Sequence, residues 1–264
     1  MMDKIYQNNY AYKLVCNFPK IIKNPLLSFI YKTRKNALLN IKTPKVLTFF
    51  ITNRCNARCK HCFYWKELNN LKKQEMTLSQ IKAFVKSLKH PLASVLLTGG
   101  EPFLREDLLE ICKIFSKYNK TLKVIIPTNG YLSKTIFNSV KNILNETNLY
   151  VDVIISLDGF EKTSEEIRGL KDIFEKDKET IALLKKIKNK KFCLMLLTTV
   201  SDKNYDEVIP LIKFNHQNWK LPHKVQYVRS CNEVYNIDKN LLPGFFQRDE
   251  TFILPSFDKI EKLN

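Results

Sequence analysis

The chain has 264 residues, 44% of them hydrophobic and 27% charged, which is enough apolar material for one large domain with a real core. Lysine and arginine outnumber acidic residues 44 to 26, for a formal net charge of +18. No apolar run approaches the roughly 20 residues needed to span a bilayer. The start, Met1-Met2-Asp3-Lys4 followed by tyrosines and asparagines, has no signal-peptide core, so a cytoplasmic location is expected. A basic surface suits anionic partners: nucleic acid, phosphorylated substrates, acidic peptides or lipid headgroups. The lysines are scattered along the chain and form no stripe, so the excess reads mainly as composition. Nucleic acid is a possible partner that no motif supports.

Residues 1–45 form a basic N-terminal extension with Pro19, Pro25 and Pro44 and the aromatics Tyr10, Tyr12, Phe18, Phe29 and Tyr31. Two short helices are expected there, Pro25–Tyr31 and Thr33–Leu39. A strap packing its aromatics on the main domain is favoured over a membrane or nucleic-acid arm.

From Val46 the pattern changes. Runs rich in Val, Ile, Leu, Phe and Thr predict strands over Val46–Thr52, Ser94–Thr98, Leu122–Thr128, Tyr150–Leu157, Phe192–Val200 and Lys224–Arg229. Between them apolar residues recur at helical spacing, as in Leu108, Ile111, Cys112 and Phe115, or Ile181, Leu184 and Ile187. Strands alternating with helices imply parallel β/α units in an α/β fold, and near-continuous apolar strands imply a sheet covered on both faces. Six units fit, where a complete eightfold barrel takes about 250 residues. An open six-unit barrel and a flat doubly wound sheet both remain. The core spans 46–231. Residues 232–264 show no strong period and form a C-terminal tail.

Seven cysteines, an odd number spread unevenly, do not read as a disulfide framework. Three crowd into Thr52-Asn53-Arg54-Cys55-Asn56-Ala57-Arg58-Cys59-Lys60-His61-Cys62, directly after the first strand. Basic neighbours are expected to favour the thiolate form there. Structural zinc and an ordinary [4Fe–4S] cluster each take four protein ligands. Three thiolates leave a metal centre with an open position, which is what reactive chemistry requires. Zinc completed by His90, His216 or His223 stays as the alternative, since His61 is badly placed to share a metal with its neighbour Cys62. A non-catalytic iron–sulfur or zinc scaffold is the reading from another class. Cys112 on an apolar helix face and Cys193 within a strand are expected to be core residues.

Cys55-x3-Cys59-x2-Cys62, with aromatic His61 before the last cysteine, resembles the signature of the radical S-adenosylmethionine (SAM) superfamily, over roughly Val46 to Arg229. The resemblance implies an open (β/α)6 partial TIM barrel with parallel strands. It implies a [4Fe–4S] cluster on Cys55, Cys59 and Cys62 and SAM as cofactors, and an oxygen-sensitive enzyme. It implies reductive cleavage of SAM to methionine and a 5′-deoxyadenosyl radical, with an electron donor such as flavodoxin or ferredoxin. Gly99-Gly100-Glu101-Pro102 resembles the family's GGEP motif: glycines let the backbone approach a ligand, and Glu101 can accept from the SAM ammonium. Asn129 closes the third strand. Ser156 and Asp158 close the fourth and correspond to positions near the SAM ribose. Arg168 corresponds to a guanidinium that approaches the SAM carboxylate.

The last strand resembles the molybdenum-cofactor-synthase-like and SPASM-type peptide-modifying branches, where Arg229 would face the site mouth. The auxiliary-cluster cysteines of the SPASM branch are missing: only Cys231 follows that strand. Either auxiliary clusters are lacking or the chain is truncated, and truncation is the expectation. A peptide or protein substrate is ranked first, a small metabolite or cofactor precursor second and RNA third.

Overall fold

A computed structural model describes residues 44–228. The expectations for the N-terminal extension, for Arg229 and Cys231, and for the tail 232–264 lie outside the described residues. Six strands are present: β1 (Val46–Thr52), β2 (Ser94–Gly99), β3 (Lys123–Thr128), β4 (Tyr150–Ser156), β5 (Phe192–Val200) and β6 (His223–Tyr227). All pair in parallel, in the order β1-β2-β3-β4-β5-β6, so sequence neighbours are sheet neighbours and β1 and β6 form open edges. Each connection carries at least one helix among α1 (Leu78–Ser87), α2 (Leu108–Ile114), α3 (Ser133–Glu146), α4 (Glu161–Arg168), α5 (Ile173–Leu184) and α6 (Val208–Asn218). This is the α/β open (β/α)6 partial barrel that the cysteine motif implied, not a flat doubly wound sheet.

Strand alternation decides the layers. Val95 and Leu97, Val124 and Ile126, Val151, Val153 and Ile155, and Leu194 and Leu196 pack with α-helical residues such as Ile81, Ile111, Ile136, Val140 and Ile181 in one continuous core. The residues between them turn to the opposite face. Cys112 is fully buried in that core, as expected. Cys193 is not: it is only half-buried and sits on the opposite face, because its strand neighbours Leu194 and Leu196 take the helix side. The expectation that it is a core residue is corrected.

Helix ends follow local chemistry. Thr77 caps α1 in a reciprocal box with Gln80. Gly169, with φ +63°, ends α4 in the left-handed conformation that glycine adopts at no steric cost. α2 runs into a π-helical turn, Phe115–Asn119, and Asn119 then bridges backward, accepting from the Leu92 N–H and donating to the His90 carbonyl. Among the described residues no helix is long and apolar enough to cross a membrane.

Candidate functional site

The C-terminal strand ends carry the polar turns, and the cysteine loop is sewn onto them from two sides. On one side the loop docks on the end of α4: the Arg58 and Lys60 N–H groups donate to the Arg168 and Ile167 carbonyls at 2.9 and 2.8 Å. These carbonyls lie in the last turn of the helix, where intrahelical partners run out. On the other side Asn69 clamps Cys55, accepting from its N–H at 2.9 Å and donating to its carbonyl at 3.0 Å. Asn69 has φ +57°, a conformation asparagine tolerates better than most residues. Nothing in the sequence marked Asn69; its distance of 14 residues from Cys55 hides the contact.

The two glycines of β2's end do a job the sequence did not show. The Gly100 and Glu101 N–H groups donate to the Thr52 and Arg54 carbonyls, both at 2.8 Å. A side chain at Gly99 would strike the Thr52 carbonyl oxygen, and one at Gly100 the Arg54 carbonyl oxygen. Gly99 also has φ +125°. The glycines are required for β2 to lie against the backbone that leads into Cys55. The β1–β2 register shifts at that place, between Phe50 and Thr52.

Glu101 is 2% exposed, and its carboxylate is taken up by the protein. Oε1 accepts from Thr128 Oγ1 at 2.8 Å and from the Phe103 N–H at 3.2 Å, and Oε2 from the Asn129 N–H at 2.8 Å. It therefore ties the end of β2 to the end of β3. Burial pushes its pKa up to about 7 against these donors. Pro102 is buried and opens the short 3-10 turn that Glu101 caps. Asn129 donates through Nδ2 to Asn56 Oδ1 at 2.7 Å, linking the third strand to the cysteine loop.

Cys55, Cys59 and Cys62 line one cavity with about 510 Å³ of empty volume, part of it open to solvent. Gly99, Gly100 and Glu101 form a second wall, and Asn129, Ser156 and Arg168 face the same space. The sequence had placed basic residues beside the thiols to favour thiolates. The structure reverses that: burial dominates, raising Cys55 to about 11 and Cys62 to about 12, and raising Cys59 as well. Arg58 points its guanidinium at the Cys55 and Ala57 carbonyls instead.

Arg168 is 6% exposed; its Nη2 donates to Asp158 Oδ2 at 2.5 Å and its Nη1 lies 3.9 Å from Cys59 Sγ. Burial works against its charge, but Asp158 outweighs that and holds the guanidinium protonated. Asp158 is 1% exposed and stands behind Arg168, off the cavity wall; its Oδ1 accepts from the Thr199 N–H at 2.8 Å. His61 turns toward the same pair, with Nε2 3.5 Å from Asp158 Oδ2, and burial lowers its pKa. Asp177 on α5, 1% exposed, adds a further carboxyl within electrostatic reach of Arg168, and burial raises its pKa well above the usual range. Nothing in the sequence marks Asp177, since a single acid in a helical stretch looks like a solvated face.

Three half-buried thiols on one cavity fit an iron–sulfur cluster. Among the described residues no three His, Cys, Asp or Glu side chains converge as ligands of a single ion would, whereas a cluster's thiolates bind separate irons. The Arg168 guanidinium beside Cys59 favours an anionic sulfur. His61 Nδ1 and Arg168 Nε are buried without a hydrogen-bond partner in the protein, so the site's polar capacity is not exhausted.

Comparison with known proteins agrees with this geometry. A GTP 3′,8-cyclase of Aliarcobacter butzleri is 35% identical over 170 residues, covering 62% of this chain and 50% of that protein. One from Helicobacter pylori is 29% identical over 203 residues, covering 75% and 59%. The chain thus spans about half to three fifths of the length of these relatives. Among solved structures, Streptococcus suis SuiB bound to S-adenosylmethionine superposes with a TM-score of 0.57 at 20% identity, covering 90% of this chain and 54% of that one. The anSMEcpe structure with bound AdoMet and Cp18Cys peptide gives 0.53 at 21%, covering 72% and 55%. At such identities the superpositions speak to the fold alone. The family model described as the radical SAM superfamily matches residues 49–214, more than half of the chain. The chain belongs to the radical SAM superfamily, and as an enzyme of that family it takes a [4Fe–4S] cluster and SAM as its cofactors.

Proposed function

We propose that Cys55, Cys59 and Cys62 hold the cluster, that the wall of Gly99, Gly100, Asn129 and Ser156 receives SAM, and that the substrate is a small molecule of the purine nucleoside triphosphate class. The observation that carries the site is the meeting of three thiols, the Gly99–Glu101 backbone and a buried arginine on one cavity. When bound and reduced, the cluster supplies the electron that cleaves SAM to methionine and a hydrogen-abstracting 5′-deoxyadenosyl radical.

The chain's own residues position and desolvate. Arg168, fixed by Asp158, presents a guanidinium suited to a carboxylate in the cavity. Glu101, engaged by three protein donors, shapes the wall and leaves ligand contact to the backbone beside it. Asp158 and His61 act through Arg168 and the cysteine loop. A one-electron donor such as a flavodoxin or ferredoxin serves as the reductant.

The substrate reading rests on the relatives, which are named GTP 3′,8-cyclases. They support a small molecule over the peptide that the last strand suggested. Reconstituted protein incubated anaerobically with SAM and dithionite is expected to form 5′-deoxyadenosine faster when GTP is added. No 5′-deoxyadenosine at all would overturn the cleavage reading. Formation indifferent to GTP would overturn the substrate reading.

A further inference from the structure

The cysteine loop meets solvent as well as the cavity, and its exposed surface is charged. Residues 54–73 contain six basic side chains and one acidic one, Glu67, against 44 and 26 in the whole chain. The local excess is therefore beyond what composition supplies. Three of the six have acidic partners: Arg54 pairs with Glu75, Lys60 with Glu166 and Lys73 with Glu67. The other three, Arg58, Lys66 and Lys72, are exposed and make no ion pair among the described residues. None of the three lines the cavity.

Hydrogen bonds tie each of these cations to the cysteines of the cavity. Arg58 precedes Cys59, and its Nη1 donates to the Cys55 carbonyl at 3.5 Å. Lys66 Nζ lies 5.8 Å from the centre of the Trp65 ring, and the Trp65 N–H donates to the Cys62 carbonyl at 3.2 Å. The Lys72 N–H donates to Asn70 Oδ1 at 3.1 Å, next to Asn69, which clamps Cys55. Trp65 and Leu71 are exposed in the same stretch. Aromatic side chains within a charged, solvated rim are typical of protein interfaces. The cavity, with about 510 Å³ of empty volume, admits no protein. A protein that delivers an electron to a centre on these thiols must therefore dock on the outside of the loop.

We propose that the exposed surface of the cysteine loop is the docking site for an acidic one-electron carrier protein, with Arg58, Lys66 and Lys72 as its charges and Trp65 as its apolar anchor. In the docked pair the carrier gives up one electron to the cluster, and no proton or group is transferred. This assigns the reductant its place in the radical reading above and rests on that reading. Electron-transfer encounters bury little area, and opposite charge sets their rate.

The test uses cluster-loaded protein and a flavodoxin of net negative charge. Calorimetry reads binding of the oxidised flavodoxin, and loss of visible absorbance reads cluster reduction by the reduced flavodoxin. The double variant Lys66→Glu/Lys72→Glu is expected to weaken binding and slow reduction about tenfold at low ionic strength. The difference should fade as salt screens the charges. Lys66→Gln/Lys72→Gln should give a smaller effect of the same sign. Reduction by dithionite should be unchanged in both variants. Lys86→Glu/Lys117→Glu reverses the same charge beside Tyr118 in the helical layer and should change neither readout. An equal effect from that control would show that net charge alone attracts the carrier, and overturns the docking site. Unchanged flavodoxin binding and reduction in the Lys66/Lys72 variants, or no flavodoxin binding to the unsubstituted protein, also overturns it. So does slower reduction by dithionite in those variants, which would show damage to the cluster's setting. Flavodoxin-specific slowing in a protein that forms no 5′-deoxyadenosine from SAM would leave the docking site standing and remove the radical reading.

Discussion

Arg168 and Asp158 form a buried ion pair whose guanidinium, not its carboxylate, reaches the cavity. The backbone carbonyl of Arg168 also accepts from the Arg58 N–H, so the same residue anchors the cysteine loop. Removing the carboxylate leaves a charged guanidinium 6% exposed beside a thiol, with its main partner gone. Breaking one side of a buried pair costs about 3–5 kcal/mol. Asp158→Ala is therefore expected to lower unfolding stability by about 3 kcal/mol, and Arg168→Met in the same chain should restore part of it. Denaturant titration of the unsubstituted chain and the two variants measures this. Weakened SAM binding at unchanged stability would instead place Asp158 in direct contact with SAM.

The Gly99–Gly100 geometry changes what a glycine substitution does. A Cβ at Gly100 meets the Arg54 carbonyl, one residue before Cys55. The sequence alone suggests that Gly100→Val would spare the cluster and weaken only SAM binding, as expected for a glycine that admits a ligand. The packing predicts otherwise. Gly100→Val should displace the Thr52–Arg54 backbone and lower iron incorporation together with SAM affinity. Iron content and the cluster's visible absorbance after anaerobic reconstitution decide between the two, and full incorporation in the variant would restore the ligand-approach reading.

Legibility followed locality. Val46–Thr52 and Phe192–Val200 are the strands the apolar runs predicted, and the other four shift by one or two residues at their ends. Periodicity sees these because a strand's two faces and a helix's one stripe are written into consecutive residues. The three cysteines were legible for the same reason. What the sequence could not show were partnerships across the chain. Glu101 spends its carboxylate on Thr128 and Asn129, and Arg168 finds Asp158 and the cysteine loop. Cys193 looked like core because it sits in an apolar strand, yet the choice of face depends on register, which no local pattern fixes.

Glu101 gives a pH signature. Its pKa lies at about 7 in the folded chain against the ordinary glutamate value of 4.5. The folded state therefore holds a proton that the unfolded state has released between these values. Stability falls as pH rises from about 4.5 to 7 and levels off above, where both states are ionised. The full span is worth about 3 kcal/mol. Glu101→Gln should be less stable than the unsubstituted chain at pH 8, because its amide NH2 faces backbone donors, and should lack this contribution to the slope. Unfolding titrations of cluster-free protein at several pH values test it. An identical slope in the glutamine variant would show that Glu101 is not the titrating group.

The cysteines separate by environment, and iron binding should separate with them. Cys55, Cys59 and Cys62 share a cavity wall, Cys112 is enclosed by α-helical and strand residues of the core, and Cys193 lies on the inner strand face near Lys123 and Asp152. Reconstituted protein should carry about four irons and four sulfides for one cluster. Alanine at Cys55, Cys59 or Cys62 removes one of only three protein ligands and should abolish stable incorporation. Cys59→Ala also takes away the sulfur facing Arg168. Cys112→Ala should keep the iron and lose stability through the small void it leaves in the core. Cys193→Ala should keep both, since its side chain is only half-buried. Iron and sulfide analysis beside unfolding curves reads all five variants. Full iron retention by Cys59→Ala would dismiss the three-thiol assignment, and loss of iron in Cys193→Ala would move a ligand to the inner face of β5.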